Sequence, residues 1–336
     1  MVETTPLIDR YGRVASDLRI SLTDKCNLRC SYCMPAEGLD WLPNDRLLTD
    51  DEIVRLAAIA VQRLGVREIR FTGGEPLVRR GLVDIVARTR AIDPSVELSV
   101  TTNGLGLAKL AQPLADAGLT RVNVSLDTVR PETFAAITRR DRLHDVVEGL
   151  EAAAAVGLGP IKINAVLLRG VNDDQAAELL GWSVTRGYQL RFIEQMPLDA
   201  QHGWSREGMV TADEIFAWLE KEFTLTPAEE PRGSAPAELF HVDGGAGVVG
   251  TVGIIASVTR PFCGDCDRVR LTADGQIRNC LFARDESDLR AALRSGASDE
   301  ELASRWVTAM AGKLPGHGID DPTFLQPDRP MSAIGG

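Results

Sequence analysis

Six short runs rich in apolar and β-branched residues recur between residues 18 and 194, and each is followed by a segment that suits an amphipathic helix. The predicted strands cover residues 18–22, 68–72, 96–101, 121–126, 161–167 and 189–194, and predicted helices cover residues 50–64, 81–90, 107–117, 143–156 and 173–186. Regular alternation of strands and helices predicts a parallel sheet. Six units rather than eight predict a partial (β/α)6 barrel of the TIM type, with its site at the carboxyl ends of the strands.

The pattern changes after a further helix near residues 212–223. Residues 226–236 are rich in Pro, Glu, Gly and Ser, which predicts a linker. Four runs at residues 239–242, 248–258, 268–272 and 276–279 then look like antiparallel strands, and two helices follow at 286–294 and 299–311. We therefore expect an α/β chain in two parts, a barrel over residues 1–225 and a C-terminal α+β extension over residues 226–336.

The composition is that of a globular protein. The chain has 336 residues, of which 44% are hydrophobic and 25% charged, and this excludes global disorder and fibrous repeats. With 37 basic and 48 acidic side chains, the net charge of −11 argues against nucleic-acid binding, so an anionic ligand would need a local basic cluster. No run of 18 apolar residues and no signal-peptide pattern occurs, so we expect no membrane contact and a cytoplasmic location.

The six cysteines fall into two groups of three, Cys26, Cys30 and Cys33, and Cys263, Cys266 and Cys280. A chain of this size without a secretory signal does not need disulfides, and closely spaced thiolates suit zinc or iron–sulfur chemistry. Structural zinc needs four ligands, and none of the four histidines lies within a few residues of either group. Three cysteines without a fourth ligand therefore fit a cluster with an open iron better, although the second group taken alone slightly favours zinc.

The first cysteine group directly follows the first predicted strand, where a barrel has its site. Its spacing, C-x3-C-x2-C with Tyr32 before the last cysteine, resembles the signature of the radical S-adenosylmethionine superfamily. That resemblance implies a glycine-rich motif after the second strand, and Gly73-Gly74-Glu75-Pro76 lies there. Glycines allow a ligand to approach the backbone closely, and a carboxylate accepts hydrogen bonds from a ligand amine.

The second cysteine group narrows the resemblance, because Asp267-Arg268-Val269-Arg270 directly follows Cys266. With two three-cysteine sites, the chain resembles the GTP 3′,8-cyclase family of molybdenum-cofactor biosynthesis from Asp17 to the terminal glycines. The other matching segments are Leu18-Arg19-Ile20-Ser21, Arg70-Phe71-Thr72-Gly73-Gly74-Glu75-Pro76-Leu77, Thr101-Thr102-Asn103-Gly104, Val124-Ser125-Leu126-Asp127 and Ile161-Lys162-Ile163-Asn164.

This resemblance implies a radical enzyme with two [4Fe–4S] clusters and S-adenosylmethionine as cofactors. One-electron reduction at the first cluster would cleave the cofactor and yield a 5′-deoxyadenosyl radical that takes the 3′ hydrogen of GTP. Attack of the ribose carbon on C8 would give (8S)-3′,8-cyclo-7,8-dihydroguanosine 5′-triphosphate. The resemblance also implies an electron donor of the flavodoxin or ferredoxin type and transfer of the product to cyclic pyranopterin monophosphate synthase. Monomer and homodimer both remain open.

The resemblance assigns site residues by matching position. The residues that would hold or contact S-adenosylmethionine are Tyr32, Gly73, Gly74, Glu75, Ser125 and Met196. The residues that would contact GTP are Arg19, Arg70, Thr101, Lys162, Arg268, Val269 and Arg270. Cys26, Cys30 and Cys33 would hold the first cluster, and Cys263, Cys266 and Cys280 the second. Arg268, Arg270, Gly335 and Gly336 would act in catalysis.

Side-chain alternation along strands gives a separate reason to expect a phosphate-bearing ligand. Arg268 and Arg270 share one strand face, and Arg19, Arg70 and Lys162 lie within apolar runs where a charge needs a partner. If these faces point into the barrel, a triphosphate would satisfy the cations through bidentate guanidinium contacts. The alternative is that each cation pairs with a structural carboxylate or lies on a solvated face.

Two other functions remain open: a peptide-modifying radical enzyme with an auxiliary cluster, and a non-enzymatic iron–sulfur or zinc redox sensor.

Residues 245–250 fit a dinucleotide fingerprint, but a β-like run follows them, so we predict a hairpin; a P-loop motif is absent. His144 is predicted to lie on the surface. By composition the C-terminal tail would be an overhang, whereas the family resemblance places its two glycines at the active site.

Overall fold

The structure is a computed structural model that describes residues 4–245 and 247–335. Six parallel strands, each paired with the next, form its centre. They are β1 (Asp17–Ser21), β2 (Glu68–Thr72), β3 (Glu97–Thr102), β4 (Arg121–Ser125), β5 (Lys162–Val166) and β6 (Gln189–Ile193). Each lies within two residues of its predicted bounds, and the predicted partial (β/α)6 barrel is confirmed.

Helices connect these strands and cover the outer face of the sheet. They are α1 (Asp50–Leu64), α2 (Leu82–Ile92), α3 (Leu107–Asp116), α4 (Pro131–Thr138), α5 (Leu143–Ala155), α6 (Ala176–Thr185) and α7 (Ala212–Leu219). Thr49 and Glu52 form the predicted capping box of α1, each side chain accepting a hydrogen bond from the backbone N–H of the other. Helix α4 was not predicted, although Pro131 at its first position is a common start signal.

The C-terminal part extends the same sheet instead of forming a separate one. Its strands are β7 (Thr224–Pro227), β8 (Glu238–Asp243), β9 (Val249–Ile255), β10 (Arg268–Leu271), β11 (Gln276–Arg278) and β12 (Ser287–Asp288). The sheet order is β12-β11-β10-β1-β2-β3-β4-β5-β6-β9-β8-β7. Helices α8 (Leu289–Arg294), α9 (Asp299–Ala311) and α10 (Met331–Ile334) complete the chain.

The expectation of purely antiparallel C-terminal strands is wrong in one respect. β8–β9 and β10–β11 are antiparallel pairs, but β9 pairs in parallel with β6 and β10 pairs in parallel with β1. The physical reason is that β1 and β6 would otherwise be sheet edges with unpaired backbone groups, and these two strands cover them. The extension therefore contributes to both sides of the barrel.

The barrel strands have one apolar and one polar face. Leu18 and Ile20 of β1 are fully buried in the main hydrophobic core, whereas Arg19 between them lines a cavity on the opposite face. Because side chains alternate along a strand, the same pattern places Arg70 of β2 and Arg270 of β10 on that inner face. The helices thus bury the apolar face, and the inner face is left for polar chemistry.

Two minor predictions are also confirmed. Gly244 N donates a 2.9 Å hydrogen bond to Val248 O within the turn that joins β8 to β9, so the fingerprint-like segment is a hairpin in its described residues. The His144 side chain is exposed and contacts Glu148 at 3.3 Å. None of the helices in the described ranges is long and apolar enough to span a lipid bilayer.

Candidate active site

A cavity of about 300 Å³ lies against the inner face of the barrel strands, and its size is within the range of small-molecule sites. The C-terminal extension forms its other wall. Twelve of the residues singled out from the sequence line it, namely Arg19, Tyr32, Cys33, Arg70, Thr101, Ser125, Met196, Cys263, Cys266, Arg268, Arg270 and Cys280. Cys33 of the first cysteine group, all three cysteines of the second and four of the five predicted cations therefore meet in one space, whereas Cys26 and Cys30 are not among the described residues that line it.

The first cysteine group lies on the loop that leaves β1. Cys33 N and Met34 N both donate to Cys30 O, at 3.0 and 3.1 Å, which curls the loop, and Ser31 N binds Ile137 O of α4 at 2.9 Å. Cys26 Sγ accepts from Leu28 N at 3.4 Å and from Asn103 Nδ2 at 3.7 Å. Burial raises the pKa of Cys26, and burial followed by Cys26 and the Asp199 carboxylate raises the pKa of Cys33 to about 12.

The Gly73-Gly74-Glu75 motif packs against Thr23 and Asp24, which lead into this loop. A Cβ at Gly73 would lie 2.3 Å from Thr23 O, and a Cβ at Gly74 would lie 2.3 Å from Asp24 O, so only glycine lets the two segments pack. Glu75 is fully buried and accepts from Thr102 Oγ1 and Asn103 N, each at 2.7 Å, and from Leu77 N at 2.9 Å. Burial raises the pKa of Glu75 to about 7.

These contacts differ from the expected ligand contacts of the motif. Gly73, Gly74 and Glu75 are not among the residues that line the cavity within the described part of the chain. Glu75 instead holds Asn103, whose side chain reaches Cys26 Sγ. This link from Glu75 to Cys26 consists of hydrogen bonds that form only in the folded chain, so the motif alone could not predict it.

Tyr32 and Asp127 form a buried pair on the cavity wall. Tyr32 Oη donates a 2.9 Å hydrogen bond to Asp127 Oδ2, and Val166 N donates a 2.9 Å bond to Asp127 Oδ1. Burial raises the pKa of Asp127 to about 6, and the pKa of Tyr32 is also raised by burial and by that carboxylate. Asp127 lies in a segment that matches the family, but sequence reasoning did not single it out as a site residue.

Three guanidinium groups form a row across adjacent strands, because Arg19 of β1 is in register with Arg270 of β10 on one side and with Arg70 of β2 on the other. Arg70 Nη2 lies 2.5 Å from Glu68 Oε1, whereas the nearest carboxylate oxygen to Arg19 is Asp17 Oδ2 at 3.8 Å. Within the described ranges, Nε of Arg19 and of Arg70 are buried without a hydrogen-bond partner. Burial and the crowding of like charges lower the pKa of Arg19 and lower that of Arg270 to about 10.

Further cations lie beside this row. Burial and then Arg191 of β6, Arg121 of β4 and Arg70 lower the pKa of Lys162 to about 7. Lys162 is not itself part of the cavity lining, whereas Arg191 is. Arg191 was missed from the sequence, although it alternates with apolar residues in its strand as Arg19 and Arg70 do. Of the predicted cations, Arg70 forms the carboxylate pair that the alternative expects, with Glu68 at 2.5 Å; Arg121, which was not predicted, binds the same carboxylate at 2.6 Å and also contacts Glu97.

The second cysteine group faces the row from the extension. Arg268 and then Lys313 lower the pKa of Cys266 to about 7 against the effect of burial, whereas burial raises the pKa of Cys263. Arg268 and Arg270 both line the cavity, as strand alternation predicts. Val269 between them has its side chain in the hydrophobic core, so only its backbone is left for the expected contact with GTP.

The C-terminal tail is folded into the site. Arg270 Nη1 donates a 2.5 Å hydrogen bond to Gly335 O, and Ser21 Oγ donates a 2.9 Å bond to Ile334 O. Gly335 has φ of 89°, and a Cβ there would lie 2.1 Å from Ser21 Oγ. Gly335 is therefore packed against the barrel and is not part of a free C-terminal overhang, which was the alternative prediction for the tail. Gly336 lies outside the described residues.

The surroundings of the six cysteines suit a four-iron cluster better than a single metal ion. All six cysteines are free and half-buried. In residues 4–245 and 247–335, no three His, Cys, Asp or Glu side chains converge closely enough for a single metal ion. A four-iron cluster binds each cysteine through a different iron, so it tolerates wider separation. Buried thiols with raised pKa values become thiolates when a metal binds, and Cys26 Sγ already accepts hydrogen bonds of the kind that support ligating sulfur.

Comparison with known proteins gives the family. A model of the radical SAM superfamily matches residues 20–182, and the model named Molybdenum Cofactor Synthesis C matches residues 188–319. The GTP 3′,8-cyclase of Streptomyces coelicolor is 65% identical over 331 residues, covering 98% of this chain and 96% of that protein. The GTP 3′,8-cyclase of a Corynebacterium glutamicum strain is 60% identical over 336 residues, covering 98% and 89%.

A likeness to a solved structure supports the fold. SuiB of Streptococcus suis, in its structure bound to S-adenosylmethionine, aligns with a TM-score of 0.59 at 13% identity, covering 91% of this chain and 68% of that one. At that identity the likeness concerns the fold alone. Sequence identity of 65% over nearly the whole length is a much stronger relationship, and by it this chain belongs to the GTP 3′,8-cyclase family of radical S-adenosylmethionine enzymes.

Proposed function

We propose that this chain converts GTP into (8S)-3′,8-cyclo-7,8-dihydroguanosine 5′-triphosphate, the first step of molybdenum-cofactor biosynthesis. The observation that carries the proposal is the row Arg270, Arg19 and Arg70, which faces the same cavity as Cys33 of the first cysteine group and all three cysteines of the second. Relatives with the name GTP 3′,8-cyclase match nearly the whole chain. This favours GTP over the peptide-modifying and redox-sensor alternatives.

S-adenosylmethionine and a [4Fe–4S] cluster, which membership of this superfamily implies, supply the one-electron chemistry and the organic radical. Cys26, Cys30 and Cys33 would hold that cluster, and Asn103 and Leu28 N would orient the first of these thiolates. Tyr32, Ser125 and Met196 line the cavity next to Cys33 and would contact S-adenosylmethionine. Gly73, Gly74 and Glu75 would act indirectly, by shaping the loop of the cysteines.

Cys263, Cys266 and Cys280 would hold a second [4Fe–4S] cluster that binds the guanine. Their position supports this, because they line the same cavity as Cys33, Arg268 and Arg270. Cationic neighbours that lower the pKa of Cys266 to about 7 favour its thiolate form, which is the form that ligates iron.

The cations would bind the triphosphate and orient the ribose. Arg19 and Arg70 have buried N–H groups without a partner in the described ranges, and a phosphate oxygen would accept from them. Arg268, Arg270 and Lys162 would complete the cluster of positive charge, with Thr101 lining the cavity at the end of β3. Removing these charges from water in the absence of an anion is costly, so the anion is expected to bind tightly.

The tail would close the site. Gly335 O is bound to Arg270, so the tail and one phosphate-binding cation are directly linked. We propose that Gly335 acts at this position by keeping water out and by setting the direction of the Arg270 side chain, and that Gly336, which lies outside the described residues, also acts in catalysis. Val269 would take part only through its backbone.

The partners are proposed from chemistry. A protein electron donor of the flavodoxin or ferredoxin type needs a surface next to the first cysteine group. Exposed Arg139 binds Arg29 O at 2.7 Å and Met34 O at 3.1 Å, and exposed Arg140 follows it, so a cationic surface adjoins that loop. Cyclic pyranopterin monophosphate synthase would take the product.

We also propose that residues 1–225 bind the radical cofactor and residues 226–336 carry the second cluster, in a monomer or homodimer.

Metal analysis combined with activity tests the proposal. Anaerobically reconstituted protein should contain about eight irons per chain, four for each cluster. C26A should lose about half the iron and all cleavage of S-adenosylmethionine, whereas C263A should lose about half the iron but keep some cleavage uncoupled from product. A tightly bound zinc in the parent protein would contradict the second cluster and leave the first intact.

A further inference from the structure

Lys313 is a buried ammonium group that touches the second cysteine group. It follows α9, and only 2% of it is exposed. Its Nζ atom donates to Cys266 O at 3.1 Å, to Cys266 Sγ at 3.4 Å and to Arg268 O at 2.9 Å. A protonated lysine has three N–H donors and no acceptor, so these three acceptors match the charged form of the side chain.

The charge of Lys313 has no carboxylate partner. In residues 4–245 and 247–335, no Asp or Glu oxygen lies within 4.0 Å of its Nζ, and its hydrogen-bond acceptors are two carbonyl oxygens and one sulfur. Burying an ammonium group without a counter-charge is strongly unfavourable. The neighbouring sulfur is the only one of the three acceptors that can carry a full negative charge, as the thiolate of Cys266.

Other cations reinforce the positive surroundings of this group. Arg13, which pairs with Asp9 at 2.5 Å, donates from Nη1 to Cys263 O at 2.6 Å, and Arg268 and Lys313 both lower the pKa of Cys266. The first cysteine group also has an arginine next to it, because Arg29 Nη1 donates to Cys26 O at 2.7 Å, but within the described residues no charged donor reaches its sulfur atoms. Its hydrogen-bond donors to sulfur are the neutral amides of Leu28 and Asn103. The carboxylates of Asp127 and Asp199 raise the pKa of Cys30 and Cys33 in addition to the effect of burial.

We propose that Lys313 is the counter-ion of the second iron–sulfur cluster and raises its reduction potential above that of the first. The inference rests on the proposed second cluster at Cys263, Cys266 and Cys280. A cluster bound by thiolates becomes more negative when it is reduced, so a fixed ammonium on one ligating sulfur stabilises the reduced form. Hydrogen bonds to sulfur act in the same direction. Lys313 is thus a positioning and tuning residue, which holds Cys266 and sets the order in which the two clusters accept electrons.

The consequence for function concerns where an electron resides. The first group, whose sulfurs accept hydrogen bonds only from neutral amides in the described residues, is suited to a strongly reducing cluster. The second group, with the Lys313 ammonium on Cys266 Sγ, is suited to a cluster that is easier to reduce. Cys33 lines the same cavity as all three cysteines of the second group, so this difference would give the two clusters distinct roles at one site.

The test is an EPR-monitored redox titration of the full-length holoprotein without GTP, so that it does not depend on activity. K313M keeps the length of the side chain and removes its charge. The matched control is K109M, because Lys109 is exposed on α3 away from the cavity. To separate the signals, each variant is also made with C26A, C30A and C33A, which leaves only the second cluster.

We expect K313M to shift the midpoint potential of the second cluster to a more negative value, with the first cluster and K109M unchanged. Loss of the second cluster's iron in K313M alone would support the counter-ion role equally. If K313M does not fold, K313Q provides the same neutralisation with a hydrogen-bond donor kept. An unshifted potential with full iron in both variants would overturn the proposal. A parent protein without a second cluster would overturn it together with that part of the proposed function, and the iron content of the parent shows this before any variant is made.

Discussion

Arg270 Nη1 donates a 2.5 Å hydrogen bond to the carbonyl oxygen of Gly335, and this bond joins a barrel cation to the C-terminal tail 65 residues further along the chain. The same guanidinium is in register with Arg19 in the cation row. The tail is therefore coupled to the groups proposed to bind the triphosphate.

Replacing Gly335 with Ala should displace the tail, because its Cβ would lie 2.1 Å from Ser21 Oγ. A misplacement of about 1 Å can cost about 100-fold in rate, so we expect cyclised product to fall by up to that factor while iron content is unchanged. Product formation measured by mass spectrometry tests this. The control is G296A, at a similar φ of +88° but with nothing within 4 Å of the added Cβ. If G335A cyclises GTP as fast as G296A, the tail has no catalytic role.

Arg329 should act as a latch for the tail. It binds Asp274 through both Nη atoms, at 3.1 and 2.8 Å, and Glu286 at 2.9 Å. R329A removes charged hydrogen bonds worth about 1.5–3 kcal/mol, so amide exchange over residues 331–335 should accelerate roughly tenfold or more. Hydrogen exchange with mass spectrometry measures this. R305A, which breaks only the exposed pair with Glu301, is the control, and equal exchange in both variants would rule out the latch.

Arg268 and Arg270 should contribute directly to nucleotide binding. We expect R268A and R270A each to weaken GTP binding by about 1.5–3 kcal/mol, the scale of a charged hydrogen bond, with the iron content kept. Calorimetry on anaerobic protein provides the affinities. R88A, in an exposed ion pair, should bind GTP as the parent does. Unchanged affinity in both cavity variants would mean that they are structural residues only.

Lys162 should make GTP binding pH-dependent. Its pKa of about 7 in the free protein, lowered by burial and by Arg191, Arg121 and Arg70, means that its ammonium form is lost as pH rises through 7. An anion next to it raises that pKa, so GTP binding should take up a proton above pH 7 and weaken as pH increases. Calorimetry in buffers of different ionisation enthalpy measures the uptake. K162R stays charged and should lose it, and uptake that persists in K162R must arise from another group.

The local sequence pattern predicted those parts of the fold that depend on residues close together in the chain. Strand alternation placed β1 to β6 within two residues, and the Thr49–Glu52 capping box began α1 as expected. Pairing of β9 with β6 and of β10 with β1 could not be predicted, because register between distant strands leaves no local signal. The short α10 was missed for a related reason, since its stability comes from docking onto Leu198 and Ser21.

The site divides in the same way. Some site residues, such as Cys26, Arg19 and Arg270, could be identified from their residue type and local sequence context alone, because cysteine spacing and charges within apolar strands are visible in the sequence. Asp127 and Lys313 went unnoticed, because a buried Asp or Lys is recognised only by its three-dimensional partners. Glu75 was identified as a residue that would hold S-adenosylmethionine, but its hydrogen bonds with Thr102 and Asn103 could not be predicted from the motif.

Isotope transfer from substrate is the most direct measurement. The holoprotein is incubated anaerobically with S-adenosylmethionine, a reductant and GTP that carries deuterium at the 3′ carbon. We expect deuterium to appear in 5′-deoxyadenosine in step with cyclised product, and both to depend on added GTP. If 5′-deoxyadenosine forms without deuterium, or forms equally without GTP, the cavity does not bind GTP for hydrogen abstraction and the proposed function is wrong.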